Sequence, residues 1–113
     1  MSSKLTPLPG EELAHEWGWH PCGDEADVEG IDNELTVYAK VNGVEAGHVS
    51  FVVRNKRLEA CNLDVKFDFQ RKGIATRLYV EAEKIAGLRC VPHNSQSPEG
   101  RAFWEQKDRP FGF

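Results

Sequence analysis

Leu63-Asp64-Val65-Lys66-Phe67-Asp68-Phe69-Gln70-Arg71-Lys72-Gly73-Ile74-Ala75-Thr76-Arg77-Leu78 changes its hydrophobic period half-way along, and that change decides the fold. On the upstream side Glu59, Cys61, Leu63, Val65, Phe67 and Phe69 alternate with Ala60, Asn62, Asp64, Lys66 and Asp68, the period of two that belongs to a strand. On the downstream side Ile74, Leu78, Ala82 and Ile85 recur at helical spacing, with Arg77, Glu81 and Lys84 opposite them and Gly87 as a stop. A glycine-containing loop that opens a helix presents backbone N–H groups and a partial positive charge together. Arg71 and Lys72 add two cations there. The junction by itself has two readings, a cradle for an anion or a tight turn that Gly73 merely permits. Neither a Walker A sequence nor Gly-x-Gly-x-x-Gly occurs, which argues against a P-loop NTPase and a Rossmann enzyme.

Outward from this junction, Leu35, Val37, Ala39 and Val41 alternate with polar residues, Asn42-Gly43 supplies a two-residue turn, and Val49, Phe51 and Val53 continue the alternation. Asn55-Lys56 makes a second turn into the strand that ends at Phe69. Leu88 to Val91 reads as a short strand, and Ser97-Pro98-Glu99 opens a last helix from Pro98 to Lys107. Nearer the N-terminus, Glu11 to His20 is expected as a short helix and Gly23 to Glu34 as an acidic loop. The order is three antiparallel strands, a helix, a strand parallel to the third, and a helix. That is a mixed α/β (α+β) sheet with helices packed on it. Val49, Phe51, Leu63, Val65, Phe67, Ile74, Leu78 and Ile85 should share one core.

The chain of 113 residues has room for one such core, and 40% hydrophobic with 28% charged residues is globular composition. The longest apolar run is Phe51-Val52-Val53, and Met1 to Gly10 has no apolar stretch, so neither a membrane span nor a secretory signal is expected. Three cysteines without a Cys-x-x-Cys pair suit reduced thiols in a cytoplasm. A net charge of −4 argues against nucleic-acid partners.

The quoted stretch resembles the acetyl-CoA-binding signature of the GNAT acetyltransferase superfamily, whose loop runs Gln/Arg-x-x-Gly-x-Gly/Ala. The flanking hairpin, the next strand and the closing Ala102-Phe103-Trp104-Glu105 and Phe111-Gly112-Phe113 are similar too, so the resemblance takes in residues 35 to 113. It implies a GNAT-like, mostly antiparallel mixed sheet flanked by helices, with a splayed parallel strand pair, in a single domain over residues 1–113 whose first 33 residues are an abbreviated segment. It also implies acetyl-CoA as cosubstrate, held at its phosphates by Gln70, Arg71, Lys72, Gly73, Ile74, Ala75 and Thr76. Leu63 and Val65 would lie along the acyl end, with main-chain contacts from Val65. The reaction implied is acetyl transfer to an amine, either a small cationic amine or a protein lysine or N-terminus. Because the N-terminal part is short, a second copy in a homodimer or a protein substrate would complete the cleft.

Alternation places Glu59 on the face of Leu63, Val65 and Phe67. A carboxylate on an apolar face holds a proton more readily, which suits a general base acting on an amine; the other reading is a carboxylate that reaches water beside the Asn55-Lys56 turn. By the resemblance, histone-type members have a catalytic glutamate six residues before the residue matching Val65, where Glu59 stands. The tyrosine that many members use as general acid is matched by Trp104, and an indole cannot protonate a thiolate at neutral pH. Tyr38 and Tyr79 read as strand-packing and helix-surface residues. That departure leaves a second class of function open, a catalytically impaired protein that keeps the fold and binds CoA or a partner. His93, beyond the short strand, is either a proton relay or a solvated loop histidine. No metal is expected: His15 and His20 are five residues apart, so a helix would swing them ~140° from each other. Asp24, Glu25, Asp27, Glu29, Asp32 and Glu34 form an acidic run, which is either a solvated loop or a lure for a cationic acceptor.

Overall fold

The computed structural model describes residues 6–19, 33–91 and 104–105. Five strands form one sheet in the order β1 (Glu11–Gly18), β2 (Glu34–Val41), β3 (Val44–Arg54), β4 (Arg57–Val65) and β5 (Cys90–Val91). The first four are antiparallel neighbours, and β5 runs parallel to β4. Helix α1 (Ile74–Ala86) makes the crossover between β4 and β5. The second helix, expected from Pro98 to Lys107, lies outside the described residues except at Trp104 and Glu105.

The two hairpin turns form where the sequence places them. Asn42 and Gly43 have φ of 52° and 82°, and Asn55 and Lys56 have φ of 52° and 60°, so both turns hold two consecutive left-handed residues. That conformation gives a two-residue turn the twist of its strands. At Lys56 it is held by a residue with a full side chain, at a steric cost of about 1 kcal/mol. Lys56→Gly should therefore raise stability by roughly 0.5 kcal/mol, once the extra freedom of glycine in the unfolded chain is deducted. Urea unfolding of the two proteins measures this directly.

The expectation fails at Glu11 to Gly18, which is a strand rather than a helix. A short segment gains little from helix formation by itself. As a strand it pairs with β2 along its whole length, from Glu11 opposite Val41 to Gly18 opposite Glu34. Its entry is fixed by the Asn42 N–H, which donates to the Gly10 carbonyl at 3.0 Å. Leu13 then packs against the core, and the Glu11 carboxylate is carried under α1.

Leu35, Val37 and Ala39 of β2, Val49 and Phe51 of β3, and Leu58 and Ala60 of β4 are buried in one cluster with Ile74, Leu78, Tyr79 and Ala82 of α1. Tyr79, read from sequence as a helix-surface residue, is instead at the centre of it. Its ring meets Phe51 edge-on at 5.2 Å and Trp104 edge-on at 5.4 Å. Thr36, Tyr38, His48 and Ser50, at alternate positions, are only half-buried, as the alternation requires.

One residue upsets the reading of β4. Phe51 stands opposite Ala60 while Ser50 stands opposite Asn62, so Cys61 is an extra residue in a β-bulge. The bulge inverts the parity of the strand. Ahead of it the even residues Leu58 and Ala60 face the core; beyond it the odd residues Leu63 and Val65 share the face of their partners Val49 and Gly47. Glu59, opposite Val52, is thus on the other face from Leu63 and Val65. The strand also ends early, at Val65, and Phe67–Phe69 is a 3₁₀ turn. Of the expected core, Val49, Phe51, Ile74 and Leu78 are buried and Val65 and Ile85 are half-buried, but Leu63 is 37% exposed and Phe67 86% exposed.

Candidate functional site

The segment between β4 and α1 is built almost entirely from backbone constraints. The Lys66 N–H donates to the Ala46 carbonyl at 2.8 Å, and the Phe69 and Gln70 N–H groups close the 3₁₀ turn on Lys66 and Phe67. The Gln70 side-chain amide then donates back to the Val65 carbonyl at 3.0 Å, tying the loop to the end of β4. Arg71 and Gly73 are both left-handed, with φ of 61° and 83°. The helix opens at once, since the Arg77 N–H is already bonded to the Gly73 carbonyl at 3.0 Å. Amides before Arg77 have no acceptor within the helix. Arg71 and Lys72 are exposed, whereas Ile74 and Thr76 are 1% and 3% exposed, so those two can offer a ligand only their backbone.

Two supports of this loop were not legible in the sequence. At Gly47 a β-carbon would lie 2.9 Å from the Asp64 carbonyl oxygen and 3.2 Å from the Val65 Cα, so β3 approaches the end of β4 more closely than any side chain permits. Beneath the loop, Arg77 donates from Nε and Nη2 to both oxygens of Glu11, at 2.7 and 2.6 Å, and from Nη1 to the Lys72 carbonyl at 3.0 Å. The two side chains are 4% and 1% exposed.

Glu59 is on the opposite face of the sheet from Leu63 and Val65, with Oε2 3.5 Å from Nη1 of Arg54 and its side chain 18% exposed. It sits opposite Val91 in the parallel pairing of β4 with β5. The Cys61 thiol beside it is pushed up in pKa by partial burial and then by the carboxylates of Glu59 and Glu34, so it is not a ready nucleophile. The Tyr79 hydroxyl is also pushed up, chiefly by burial, and it is hydrogen-bonded to Trp104. His93, and the acidic run apart from Glu34, lie outside the described residues. A groove of about 470 Å³ is lined by Glu16, Thr36, Tyr38, Lys40, Glu45, His48 and Ser50, and includes no residue expected to be in the site. Among the described residues no three His, Cys, Asp or Glu are grouped to hold a metal, and no helix is long and apolar enough to cross a membrane.

A strand that leads through a glycine loop into a helix, beside a parallel neighbour, is the geometry that the quoted signature implied. The model of the acetyltransferase (GNAT) family matches residues 5–111. The chain belongs to the GNAT acetyltransferase family. No curated protein matches it. Solved structures share its fold. PaiA N-acetyltransferase from Thermoplasma acidophilum, in complex with coenzyme A, is 22% identical with a TM-score of 0.56, covering 71% of this chain and 58% of that one. An aminoglycoside acetyltransferase from an uncultured soil metagenomic sample, in complex with trehalose, is 13% identical with a TM-score of 0.60, covering 87% and 88%. A functionally unknown conserved protein from Staphylococcus epidermidis is 15% identical with a TM-score of 0.59, covering 89% and 50%. The chain therefore spans little more than half the length of the CoA-bound neighbour. The four antiparallel strands and β5 form the mixed sheet of that fold, with α1 crossing between β4 and β5.

Proposed function

We propose that this GNAT protein transfers the acetyl group of acetyl-CoA to an amine, a small cationic amine or a protein lysine or N-terminus, in the cytoplasm and on one domain spanning residues 1–113. The observation that carries the reading is the loop from Gln70 to Thr76. It combines exposed Arg71 and Lys72, a left-handed Gly73 and the opening amides of α1, in a protein whose net charge is otherwise negative. A pyrophosphate there meets amides, helix dipole and cations at once. The pantetheine arm would then run back along β4 past half-buried Val65 and then Leu63, and the exposure of Leu63 suits an apolar chain laid over it. At the far end the amine nitrogen attacks the thioester carbonyl, the C–S bond breaks, and CoA leaves as the thiolate. Glu59, through a water, would take the amine proton, with His93 as the other candidate relay. A homodimer partner or the acceptor protein would complete the cleft.

A second reading, a CoA-binding protein with impaired turnover, is favoured by Trp104. Its indole cannot protonate a thiolate at neutral pH, and Tyr79, against which it packs, is buried at 2% exposure. Incubation with acetyl-CoA and a panel of amines, following free thiol, separates the two: thiol release that depends on an amine supports transfer, and its absence despite tight binding supports the second reading. Placement of the cofactor is tested by Gly73→Val. A branched side chain at a left-handed position against the phosphates should weaken CoA binding by more than about 1 kcal/mol in calorimetry, and unchanged affinity would remove the loop from the site.

A further inference from the structure

We infer that the buried Glu11–Arg77 ion pair is the brace that sets the phosphate-binding loop, with Arg77 acting as a positioning residue through the Lys72 carbonyl; this rests on the acetyl-CoA reading above. Arg77 is 5% exposed and cannot be a phosphate ligand in this conformation. Its guanidinium is turned inward, with Nε and Nη2 on the two Glu11 oxygens at 2.7 and 2.6 Å. Nη1 reaches the loop, at 3.0 Å from the Lys72 carbonyl.

That one contact fixes the plane of a peptide. Every described peptide bond is trans, so the Lys72 carbonyl and the Gly73 N–H point in opposite directions. Holding the carbonyl down on Arg77 aims the Gly73 N–H away from the buried guanidinium, to the side of the loop where Arg71 and Lys72 are exposed. Between left-handed Arg71 and left-handed Gly73, rotation of this peptide plane is the movement that would take the amide off an anion. Glu11 has two parts in the brace. It fixes the guanidinium by a two-pronged contact, and it neutralises a cation that would otherwise be buried. Its Oε1 also accepts the Leu8 N–H at 3.1 Å, so the brace is anchored in the residues leading into β1. This accounts for the burial of an acid at the start of an edge strand, where the sequence pattern alone favours exposure.

The test must separate a brace from a merely structural ion pair. Removing one partner leaves an orphaned buried charge, so the main variant removes both, as Arg77→Met with Glu11→Leu. Arg77→Lys, which keeps the cation but loses the fork, is the second variant, read in the same way if the first does not fold. CoA binding is followed by calorimetry, and binding of pantetheine, which has the arm but no phosphate, by NMR titration. The inference expects CoA to bind about 10–100-fold more weakly, the loss of one amide contact to a charged group, with pantetheine unchanged. Unchanged CoA affinity, or an equal loss for CoA and pantetheine, overturns it. A wild-type chain that binds no CoA overturns the acetyltransferase reading together with this one, whereas wild-type binding with unmoved variants overturns this one alone.

Discussion

Leu78→Ala should cost about 2–5 kcal/mol in denaturant unfolding, a large part of the ~5–15 kcal/mol that holds a domain together. Leu78 has no exposed surface and lies in the layer between α1 and the sheet, among the buried residues of β2, β3 and β4. A truncated side chain there leaves a cavity that the surrounding strands cannot collapse into, because Phe51 and Tyr79 are already locked edge to face. The loss would also reach the site. Leu78 lies in the first two turns of α1, whose N-cap is Gly73, so a loosened helix start would free the loop that precedes it. A loss below about 0.5 kcal/mol, the range of an ordinary surface change, would mean that α1 presents a different face to the sheet.

What the sequence made legible and what it hid divide along physical lines. Local chemistry was legible. Asn42-Gly43 and Asn55-Lys56 fix their turns by backbone preference, and the helical spacing from Ile74 to Ile85 matches α1 because that helix has one apolar face to bury. The signature around Gly73 was legible because its residues are contiguous. Features set by distant partners were not. Glu11 and Arg77 are 66 residues apart, and nothing around either marks the other. The strand at Glu11–Gly18 exists because β2 offers it a full ladder, which a reading of the segment alone cannot supply. The bulge at Cys61 was hidden for another reason. It carries no glycine or proline, and an uninterrupted alternation of side chains continues straight through it. A single extra residue therefore carried the whole face assignment of Glu59 with it.

Glu59→Gln should slow acetyl transfer by about 10²–10⁴-fold with CoA affinity nearly unchanged, the loss that follows removal of a general base. The structure changes the grounds for this expectation. Glu59 does not face the core with Leu63 and Val65; it stands on the other face of β4, with Arg54 3.5 Å from its carboxylate. A base on that face would have to work on an amine that approaches from the side away from α1, while the proposed phosphate site is at the start of α1. The two functions would then be divided between the two faces, and the thioester carbonyl would have to lie where β4 and β5 meet. The last described pairing of those strands is Glu59 with Val91, which puts the carboxylate at that boundary. The substitution keeps the side chain's shape while removing its basicity, and the partly exposed ion pair with Arg54 that it gives up contributes little to stability. Rates across a pH range, with unfolding measured in parallel, check it. An active Glu59→Gln protein would transfer the role to His93 or to water, and the six-residue spacing to Val65 would then be a coincidence of the strand.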